Sequence, residues 1–285
     1  FERVAIIGLG LIGGSIGLAL RRKGLARTVV GHARHPDAIT AQALGLIDEA
    51  ADDAVSAVAG ADLIVIAAPV TAIPAIFEEI AGAIAPGALI TDCASTKTSV
   101  ITAARAALGI AFERYVPGHP IAGSELSGPA AARQGLFEGK RWLFLPVTDG
   151  QRTHLGRMMA LAERIGARPA LLDAGLHDSM FGEYSHAPHA LVYAVCLAVA
   201  QGPHAQALAD LAGAGFRDTT RIGASSPPLW TDILIDNAQP TVESLDRISY
   251  SLALIRQALA DGDRPGLQAM IEQASSWRAQ LESEN

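Results

Sequence analysis

The chain has 285 residues, of which 50% are hydrophobic and 18% are charged. A composition this apolar can bury a large core, which excludes a mainly disordered protein, and the length is typical of about two domains. Lys and Arg number 22 against 29 Asp and Glu, a formal net charge of −7, so no nucleic-acid partner is expected, and an anionic substrate would need a local cationic pocket.

The cysteine pattern and the hydropathy indicate the compartment. Cys93 and Cys196 lie far apart in sequence and form no CxxC pair, so we expect reduced thiols rather than a disulfide framework or a zinc site. We find no unbroken apolar run long enough to span a membrane and no signal-peptide pattern. We therefore expect a cytoplasmic protein that neither binds a metal ion nor associates with a membrane.

Short apolar runs alternate with amphipathic stretches over roughly the first 170 residues. The apolar runs predict strands at 4–7, 29–30, 63–67 and 89–91, with later strands near 113–116, 141–146 and 168–172. The stretches between the early strands predict helices at 12–23, 36–44, 71–84 and 97–108. Strands that alternate with helices predict an α/β fold, here an N-terminal doubly wound sheet of the Rossmann type over residues 1–172.

From about Asp173 the strand-like runs give way to helical periodicity. We predict helices at 175–201, 204–212, 228–236, 240–260 and 265–282, which make residues 173–285 a C-terminal all-helical domain. No Gly/Ser linker separates it from the first domain, so the two are expected to pack directly. Its broad apolar faces favour packing against a second copy, and we expect a homodimer.

A glycine-rich turn, Gly8-Leu9-Gly10-Leu11-Ile12-Gly13, joins the first strand to the first helix. In that context a GxGxxG pattern is typical of dinucleotide binding. Gly8 permits the turn, Gly10 lets the backbone approach a pyrophosphate, and Gly13 lets the helix pack closely. The candidate cofactor contacts are Gly8, Gly10, Leu11, Ile12 and Gly13. The alternative is a tight turn that binds no ligand.

The end of the second strand bears on the choice of cofactor. An acidic residue there would bind the ribose hydroxyls of NAD and repel the 2′-phosphate of NADP. The chain instead has His32, Arg34 and His35, and no carboxylate occurs before Asp37. Since Arg34 can bind phosphate with two hydrogen bonds, helped by the two histidines, we favour NADP over NAD. The alternative is a solvated arginine beside the cofactor site.

Polar residues concentrate in four segments. Two follow predicted strands, 91–97 (TDCASTK) and 118–125 (GHPIAGSE), and two lie in the helical part, 184–189 (YSHAPH) and 215–221 (GFRDTTR). Together with the glycine loop, and in this order, these segments resemble the prephenate/arogenate (cyclohexadienyl) dehydrogenase family over nearly the whole chain.

The resemblance implies an enzyme of tyrosine biosynthesis. Such an enzyme oxidises and decarboxylates prephenate to 4-hydroxyphenylpyruvate, or arogenate to tyrosine, and transfers a hydride to NAD or NADP. It implies catalysis by His119 with Ser95 beside it, and substrate contacts from Ser185, His189 and Arg221. It also implies that Glu125 and Asp218 form part of a polar network at the mouth of the site.

The reaction explains these residue types. A neutral imidazole at His119 suits the proton of the substrate hydroxyl, because its pKa lies near neutral pH. Ser95 can fix its tautomer and contact the nicotinamide, which makes Ser95 a cofactor contact as well. Arg221 can bind a substrate carboxylate with two hydrogen bonds. The alternatives are a structural turn histidine at position 119, and a salt bridge from Arg221 to Asp218 or Glu125.

Other residues have less specific interpretations. Ser124 and the face shared by His186 and His189 could distinguish the keto acid from the amino acid. Pro188 removes a helix hydrogen bond, and we expect a local break beside Ser185. Trp230 is expected in the core or at an interface, Lys97 near solvent or phosphate, and three further histidines on the surface: His154, His177 and His204.

Two other functions fit parts of the pattern. A β-hydroxyacid-type dehydrogenase relies on a lysine in the first long helix of the second domain, and this chain has none there. A non-catalytic NADP-binding regulatory protein would keep the glycine loop, but it would not need His119, Ser95 and Arg221 together.

Overall fold

The structure is a computed structural model that describes residues 1–124 and 126–283. Its strands are β1 (Arg3–Ile7), β2 (Thr28–His32), β3 (Glu49–Ala50), β4 (Leu63–Ile66), β5 (Leu89–Asp92), β6 (Tyr115–Val116), β7 (Gly118–Pro120), β8 (Arg141–Phe144) and β9 (Arg168–Leu171). The helices as far as β9 are α1 (Leu11–Arg22), α2 (His35–Ala43), α3 (Ala54–Val58), α4 (Ile73–Ile80), α5 (Thr98–Ala107) and α6 (Asp149–Ile165).

The predicted parallel sheet is confirmed. Its strand order is β3-β2-β1-β4-β5-β6, and every pair is parallel. Successive side chains of β1 enter two different apolar layers, Val4 and Ile6 on one face and Ala5 and Ile7 on the other. Burial on both faces explains why these strands are continuous apolar runs in the sequence.

A second, smaller sheet extends the fold beyond β6. In it β7 is antiparallel to β8, and β8 is parallel to β9. The helix α6, which packs against the first apolar layer, was not predicted. Its large buried apolar side chains, Met158, Leu161 and Ile165, lie in its second half, and Leu155 of the first half is partly buried against the same layer. The fully apolar part of its pattern is therefore short. Its end signals are clear, however: Thr148 caps the N-terminus, and Gly166 ends the helix with a φ of 110°.

The described residues after β9 form helices and turns and contain no strand, as predicted. The helices are α7 (Ala174–Phe181), α8 (Ala187–Ala200), α9 (Ala205–Leu211), α10 (Ala214–Thr220), α11 (Pro227–Asp236), α12 (Ala238–Asp261) and α13 (Arg264–Ser283). A π-helical turn over Gly182–His186 joins α7 to α8. Of these helices, α10 was not predicted. In the part of the chain that the structure describes, no helix is both long and apolar enough to cross a membrane.

The helical part packs directly on the sheet part, as the missing linker indicated. From α11, Asp232 accepts a hydrogen bond from the Thr71 hydroxyl at 3.0 Å, and Asp236 accepts one from Ser99 at 2.7 Å. From α7, Asp178 accepts the backbone N–H of Thr98 at 2.8 Å. These contacts bring the helices to the carboxyl-terminal edge of β5, where polar loops were predicted.

A buried polar cluster lies at that edge. Asp92, the last residue of β5, accepts hydrogen bonds from the Tyr115 hydroxyl at 2.7 Å, from the Gly118 N–H at 3.1 Å and from the Lys97 ammonium. The ammonium also donates to the Gly118 carbonyl at 2.9 Å. Lys97 and Asp92 are fully buried, so the expectation that Lys97 faces solvent or phosphate is wrong. Burial is tolerated because each charge finds its partners.

We predict that Lys97→Met destabilises the fold. The substitution leaves the Asp92 carboxylate buried without its counter-charge, which typically costs about 3–5 kcal/mol. Urea denaturation followed by circular dichroism measures the loss. Arg27→Gln, which breaks the exposed pair between Arg27 and Glu2, is the control and should leave the free energy of unfolding almost unchanged. Equal stabilities of the two variants would contradict the structural role of this pair.

Candidate active site

The glycine loop has the geometry that its sequence predicts. Gly8 has a φ of +94°, and a Cβ there would lie 2.5 Å from the Ala67 carbonyl oxygen. A Cβ on Gly13 would lie 1.9 Å from the Gly8 carbonyl oxygen. Both positions therefore require glycine for the turn itself. At Gly10, by contrast, no atom of the described residues lies within 4 Å of a Cβ, so the turn leaves open space there.

The N-terminus of α1 faces this open space. Gly10 precedes the helix and has no side chain to cap it, so the first N–H groups of α1, on Leu11 and Ile12, are available to a ligand. Together with the positive end of the helix dipole, they suit a phosphate group. The loop thus fits a pyrophosphate, and Gly10 is the position where a ligand, rather than the fold, explains the glycine.

Three candidate cofactor contacts lie at the end of β2 or just after it. His32 is half-buried, and its Nδ1 lies 3.1 Å from the Ala51 carbonyl oxygen. Arg34 is exposed, and its Nη2 donates to Asp37 at 3.3 Å. The side chain of His35 lies outside the described residues. Asp37 belongs to α2 and pairs with Arg34, so β2 ends without a carboxylate of its own.

His119 lies in β7, buried at the edge of the sheet. Its Nδ1 is 2.9 Å from Nε2 of His177, and the Phe181 ring packs against it with centroids 4.6 Å apart. Burial lowers the pKa of His119 well below its usual range. The positive charges of a protonated His177 and of Lys97 lower this pKa further. The imidazole is therefore uncharged at neutral pH, which a proton acceptor requires.

His177 is fully buried, so the expectation that it lies on the surface is wrong. Its Nδ1 donates to the Asp178 carboxylate at 2.7 Å. That carboxylate also accepts the N–H groups of Lys97 and Thr98, each at 2.8 Å, at the start of α5. Burial would raise the pKa of Asp178, but the hydrogen bonds from His177, Thr98 and Lys97 outweigh it and hold the pKa below its usual value. The one sequence signal was the spacing of His177 and Phe181 on one helix face.

The π-helical turn confirms the local break predicted beside Ser185. In it the Ala187 N–H donates to the Gly182 carbonyl, five residues earlier. Pro188 follows at once and has no N–H to donate. Ser185 is half-buried in this turn, and its carbonyl oxygen lies 2.9 Å from Nδ1 of His189. Turns of this kind occur often at functional sites.

His189 stacks on Trp230, with ring centroids 3.4 Å apart and planes 18° apart. We expected Trp230 in the core or at an interface; it is half-buried, with its ring against a candidate substrate contact. Burial lowers the pKa of His189, and the nearby positive charge of Arg221 lowers it further. The structure therefore brings His189, Trp230 and Arg221 together.

His186 lies behind this surface. It is buried, and its Nδ1 is 2.8 Å from the side-chain nitrogen of Asn237, which also donates to the Asp178 carbonyl at 2.8 Å. Burial lowers the pKa of His186 to about 4. Asn237 was not predicted, because nothing in its local sequence distinguishes it from a helix-end residue.

Three of the remaining predicted residues lie in the described part of the chain. Ser95 is half-buried in the loop between β5 and α5, and the Ser124 hydroxyl accepts the Leu126 N–H at 3.3 Å. Asp218 is exposed on α10, and Glu125 lies outside the described residues. Within the described ranges, no three His, Cys, Asp or Glu side chains converge where they could hold a metal ion.

A series of ring contacts runs from His119 to His189. Phe181 lies 4.6 Å from His119 and 6.3 Å from His186, which in turn lies 6.1 Å from Trp230. Trp230 stacks on His189, whose pKa the charge of Arg221 lowers. The predicted residues His119 and His189 are therefore connected through ring contacts.

Two family models match the chain. Residues 16–171 match "Prephenate dehydrogenase, nucleotide-binding domain", and residues 173–273 match "Prephenate dehydrogenase, dimerization domain". Among curated proteins, prephenate dehydrogenase of Bacillus subtilis is 33% identical over 97% of this chain and 75% of its own length. Cyclohexadienyl dehydrogenase of Zymomonas mobilis is 31% identical over 100% of this chain and 98% of its own.

Solved structures agree. Prephenate dehydrogenase of Aquifex aeolicus, in complex with hydroxyphenyl propionate and NAD+, has a TM-score of 0.89 at 28% identity and covers 99% of this chain and 98% of its own. Arogenate dehydrogenase of Synechocystis has a TM-score of 0.80 at 27% identity, over 98% of this chain and 100% of its own.

We predict that Gly10→Val separates ligand binding from folding. Gly10 has a φ of −78°, which any residue adopts, so the thermal midpoint should stay within about 4 °C of wild type. The added side chain blocks the approach of a pyrophosphate, and affinity for NAD+ and NADP+, measured by calorimetry, should fall at least about tenfold. Gly13→Val is the contrast and should unfold at a lower temperature. Unchanged cofactor affinity in Gly10→Val would show that the loop is only a turn.

Proposed function

Because the chain belongs to the prephenate dehydrogenase family, we propose that it oxidises and decarboxylates prephenate, arogenate or both, with hydride transfer to NAD(P)+, in tyrosine biosynthesis. One observation carries the proposal: a buried, uncharged imidazole, His119, is connected through ring contacts to His189, on which the charge of Arg221 acts. A β-hydroxyacid-type enzyme is disfavoured, since α7 and α8 contain no lysine.

The substrate ring determines what the residues must do. Its C4 carries a hydroxyl and a hydrogen, and its C1 carries a carboxylate. When bound, the nicotinamide accepts the hydride from C4. His119 Nε2 takes the hydroxyl proton as the C4 carbonyl forms. The bond from C1 to the carboxylate then breaks, CO₂ leaves, and the electron pair makes the ring aromatic. The phenolate oxygen takes the proton back from His119, so no net proton is released.

The other residues hold the substrate in this arrangement. Arg221 binds a carboxylate with two hydrogen bonds, beside His189 and the half-buried Ser185. Ser95, half-buried in the loop between β5 and α5, is assigned to orient His119 and to contact the nicotinamide of a bound cofactor. Glu125 and Asp218 are assigned to a polar network at the mouth of the site. Ser124 and the face shared by His186 and His189 are assigned to distinguish the keto acid from the amino acid.

The cofactor is assigned to the glycine loop and to the end of β2. The pyrophosphate binds at Gly8, Gly10, Leu11, Ile12 and Gly13. We favour NADP over NAD, because Arg34 is exposed at a strand end that lacks a carboxylate, with His32 and His35 near it. The pair between Arg34 and Asp37 is exposed and therefore weak, so it does not prevent binding of a 2′-phosphate.

We also propose a cytoplasmic homodimer. Residues 1–172 form the nucleotide-binding domain, and residues 173–285 form the substrate and dimerisation domain. The isolated chain leaves large apolar side chains of α12 and α13 more than half exposed: Tyr250, Leu252, Leu259 and Trp277. Surfaces of this kind mark protein interfaces, and the matched family model is described as a dimerization domain. The free thiols Cys93 and Cys196 suit a reducing compartment.

We predict that prephenate or arogenate, assayed with NAD+ and with NADP+, yields reduced nicotinamide, which is measured by its absorbance. NADP+ should have the lower KM, and Arg34→Ala should raise the KM for NADP+ about tenfold while leaving that for NAD+ unchanged. Arg27→Ala, a surface arginine outside the site, is the control. If no combination yields reduced nicotinamide, the proposed activity is wrong. Equal effects of Arg34→Ala on the two cofactors would remove only the NADP preference.

We predict that His119→Asn and Arg221→Gln fail in different ways. Loss of the base should lower kcat about 10²–10⁴-fold with little change in substrate KM, whereas loss of the guanidinium should mainly raise KM. Because the pKa of His119 is lowered, wild-type kcat/KM should stay constant from pH 8 to about 6.5 and fall only at lower pH, as the imidazole becomes protonated. Steady-state kinetics across pH measure both effects. A kcat for His119→Asn within about threefold of wild type would exclude His119 as the base.

A further inference from the structure

We propose that His177 and Asp178 act as positioning residues for His119: they fix its tautomer and share the proton that it takes from the substrate. The inference rests on the proposed role of His119 as the base. It concerns two residues that lie outside the polar segments singled out in the sequence and that were found only through their contacts.

The first link is the Asp178 carboxylate. Its Oδ1 accepts the Lys97 N–H and its Oδ2 accepts the Thr98 N–H, at 2.8 Å each. These groups form the N-terminus of α5, whose dipole favours the charged carboxylate. Oδ1 is also 2.7 Å from Nδ1 of His177. An ionised carboxylate only accepts hydrogen bonds, so the proton of the neutral His177 ring must be on Nδ1.

The second link transfers this constraint to His119. With its proton on Nδ1, neutral His177 has a lone pair on Nε2. That nitrogen is 2.9 Å from Nδ1 of His119, and two ring nitrogens can form a hydrogen bond only if one donates. His119 therefore donates from Nδ1, and its Nε2 has the lone pair. One carboxylate thus sets both tautomers and leaves the outer nitrogen of His119 ready to accept a proton.

Packing keeps this geometry. The Phe181 ring lies against both imidazoles, with centroids 4.6 Å from His119 and 4.3 Å from His177. Both imidazoles are buried, so water does not compete for their nitrogens. The other titratable groups that act on the two rings are Lys97, Asp92 and His186. Lys97 and a protonated His186 disfavour a positive charge on His119, and Asp178 favours it.

The proton movement balances within the chain. When Nε2 of His119 accepts the substrate proton, its Nδ1 proton can pass to Nε2 of His177. The positive charge then lies on the ring that contacts the Asp178 carboxylate, which stabilises it. When the phenolate forms, both protons return along the same bonds. The relay therefore needs no water and no further acid or base.

Asp178→Asn tests the relay. With its oxygen toward the Lys97 N–H and His177, the new amide keeps these two hydrogen bonds, but its nitrogen faces the Thr98 N–H and the negative charge that stabilises a protonated His177 is lost. We expect kcat to fall about 10²-fold. The acid limb of kcat/KM should also move to lower pH, because the charge that favours imidazolium is lost. A general structural loss would lower kcat without moving that limb.

Asp173→Asn is the matched control. Asp173 caps α7 through the Gly175 N–H at 2.8 Å and lies outside the relay. Asparagine caps as well as aspartate, so kcat and the pH profile should stay at wild type. If Asp178→Asn retains kcat within about threefold of this control, the relay is overturned.

Substitutions at His177 separate positioning from packing. His177→Gln keeps an acceptor oxygen for Nδ1 of His119, so it should retain kcat within about tenfold of wild type. His177→Leu fills the space without an acceptor and should lose about 10²–10³-fold. Equal losses in both variants, with equal thermal midpoints, would contradict the relay.

A measurement without substrate distinguishes the relay from the proposed function. Nitrogen-15 NMR of the full chain labelled at histidine shows which nitrogen of His119 carries the proton, and loss of the signal in His119→Asn identifies it. We expect Nδ1–H in wild type and in Asp178→Asn, and the loss of this preference in His177→Leu, which offers Nδ1 of His119 no acceptor. Nε2–H in wild type would overturn the relay, whatever the activity. Nδ1–H in an enzyme that oxidises neither prephenate nor arogenate would support the relay and overturn only the function.

Discussion

The Asp178 carboxylate joins two parts of the chain that are far apart in sequence. It accepts the first N–H groups of α5, which belongs to the sheet half, and it lies in α7, the first helix of the other half. The same group orients His177 against His119. His119 is therefore held by contacts from the sheet half and from the helical half, and its position depends on how the halves pack. That dependence explains why a site made of residues from so many segments can be rigid.

Beneath this contact lies the buried cluster of Asp92, Lys97 and Tyr115. It fixes the Gly118 backbone through both its N–H and its carbonyl, one residue before His119. Buried charges are costly unless every one is paired, and here the pairs connect β5, β6, β7 and the start of α5. The cluster thus fixes the backbone that carries His119, and the ring contacts that run from Phe181 to Trp230 connect His119 to His189.

Much of the fold could be predicted because its signals are local. Runs such as 63–67 are apolar on both faces, since the sheet is covered on both faces. The glycines at positions 8 and 13 are required by contacts within a few residues of the turn or on the neighbouring strand. Pro188 identified the break at the π-helical turn, because the loss of one N–H acts within a single turn. The helix α6 was missed because its large buried apolar side chains are confined to its second half.

The site was predictable only in part, because its remaining members are defined by partners distant in sequence. His119, Ser185 and Arg221 lie in polar segments that the sequence alone identifies. His177 and Lys97 look like surface residues until the contacts with Asp178 and Asp92 are known, and Asn237 has no local signal at all. A sequence pattern predicts where a helix lies and which of its faces is apolar. It does not predict which other helix or loop packs against that face.

We expect the outer nitrogen of His119, Nε2, to contact the hydroxyl of the substrate. The most direct measurement is a crystal structure of the protein with NAD(P)+ and a 4-hydroxyphenyl carboxylic acid. We expect the phenolic oxygen within about 3.2 Å of Nε2 of His119, and the carboxylate on the guanidinium of Arg221. A phenolic oxygen held by another side chain, with His119 turned away from the ring, would contradict the account.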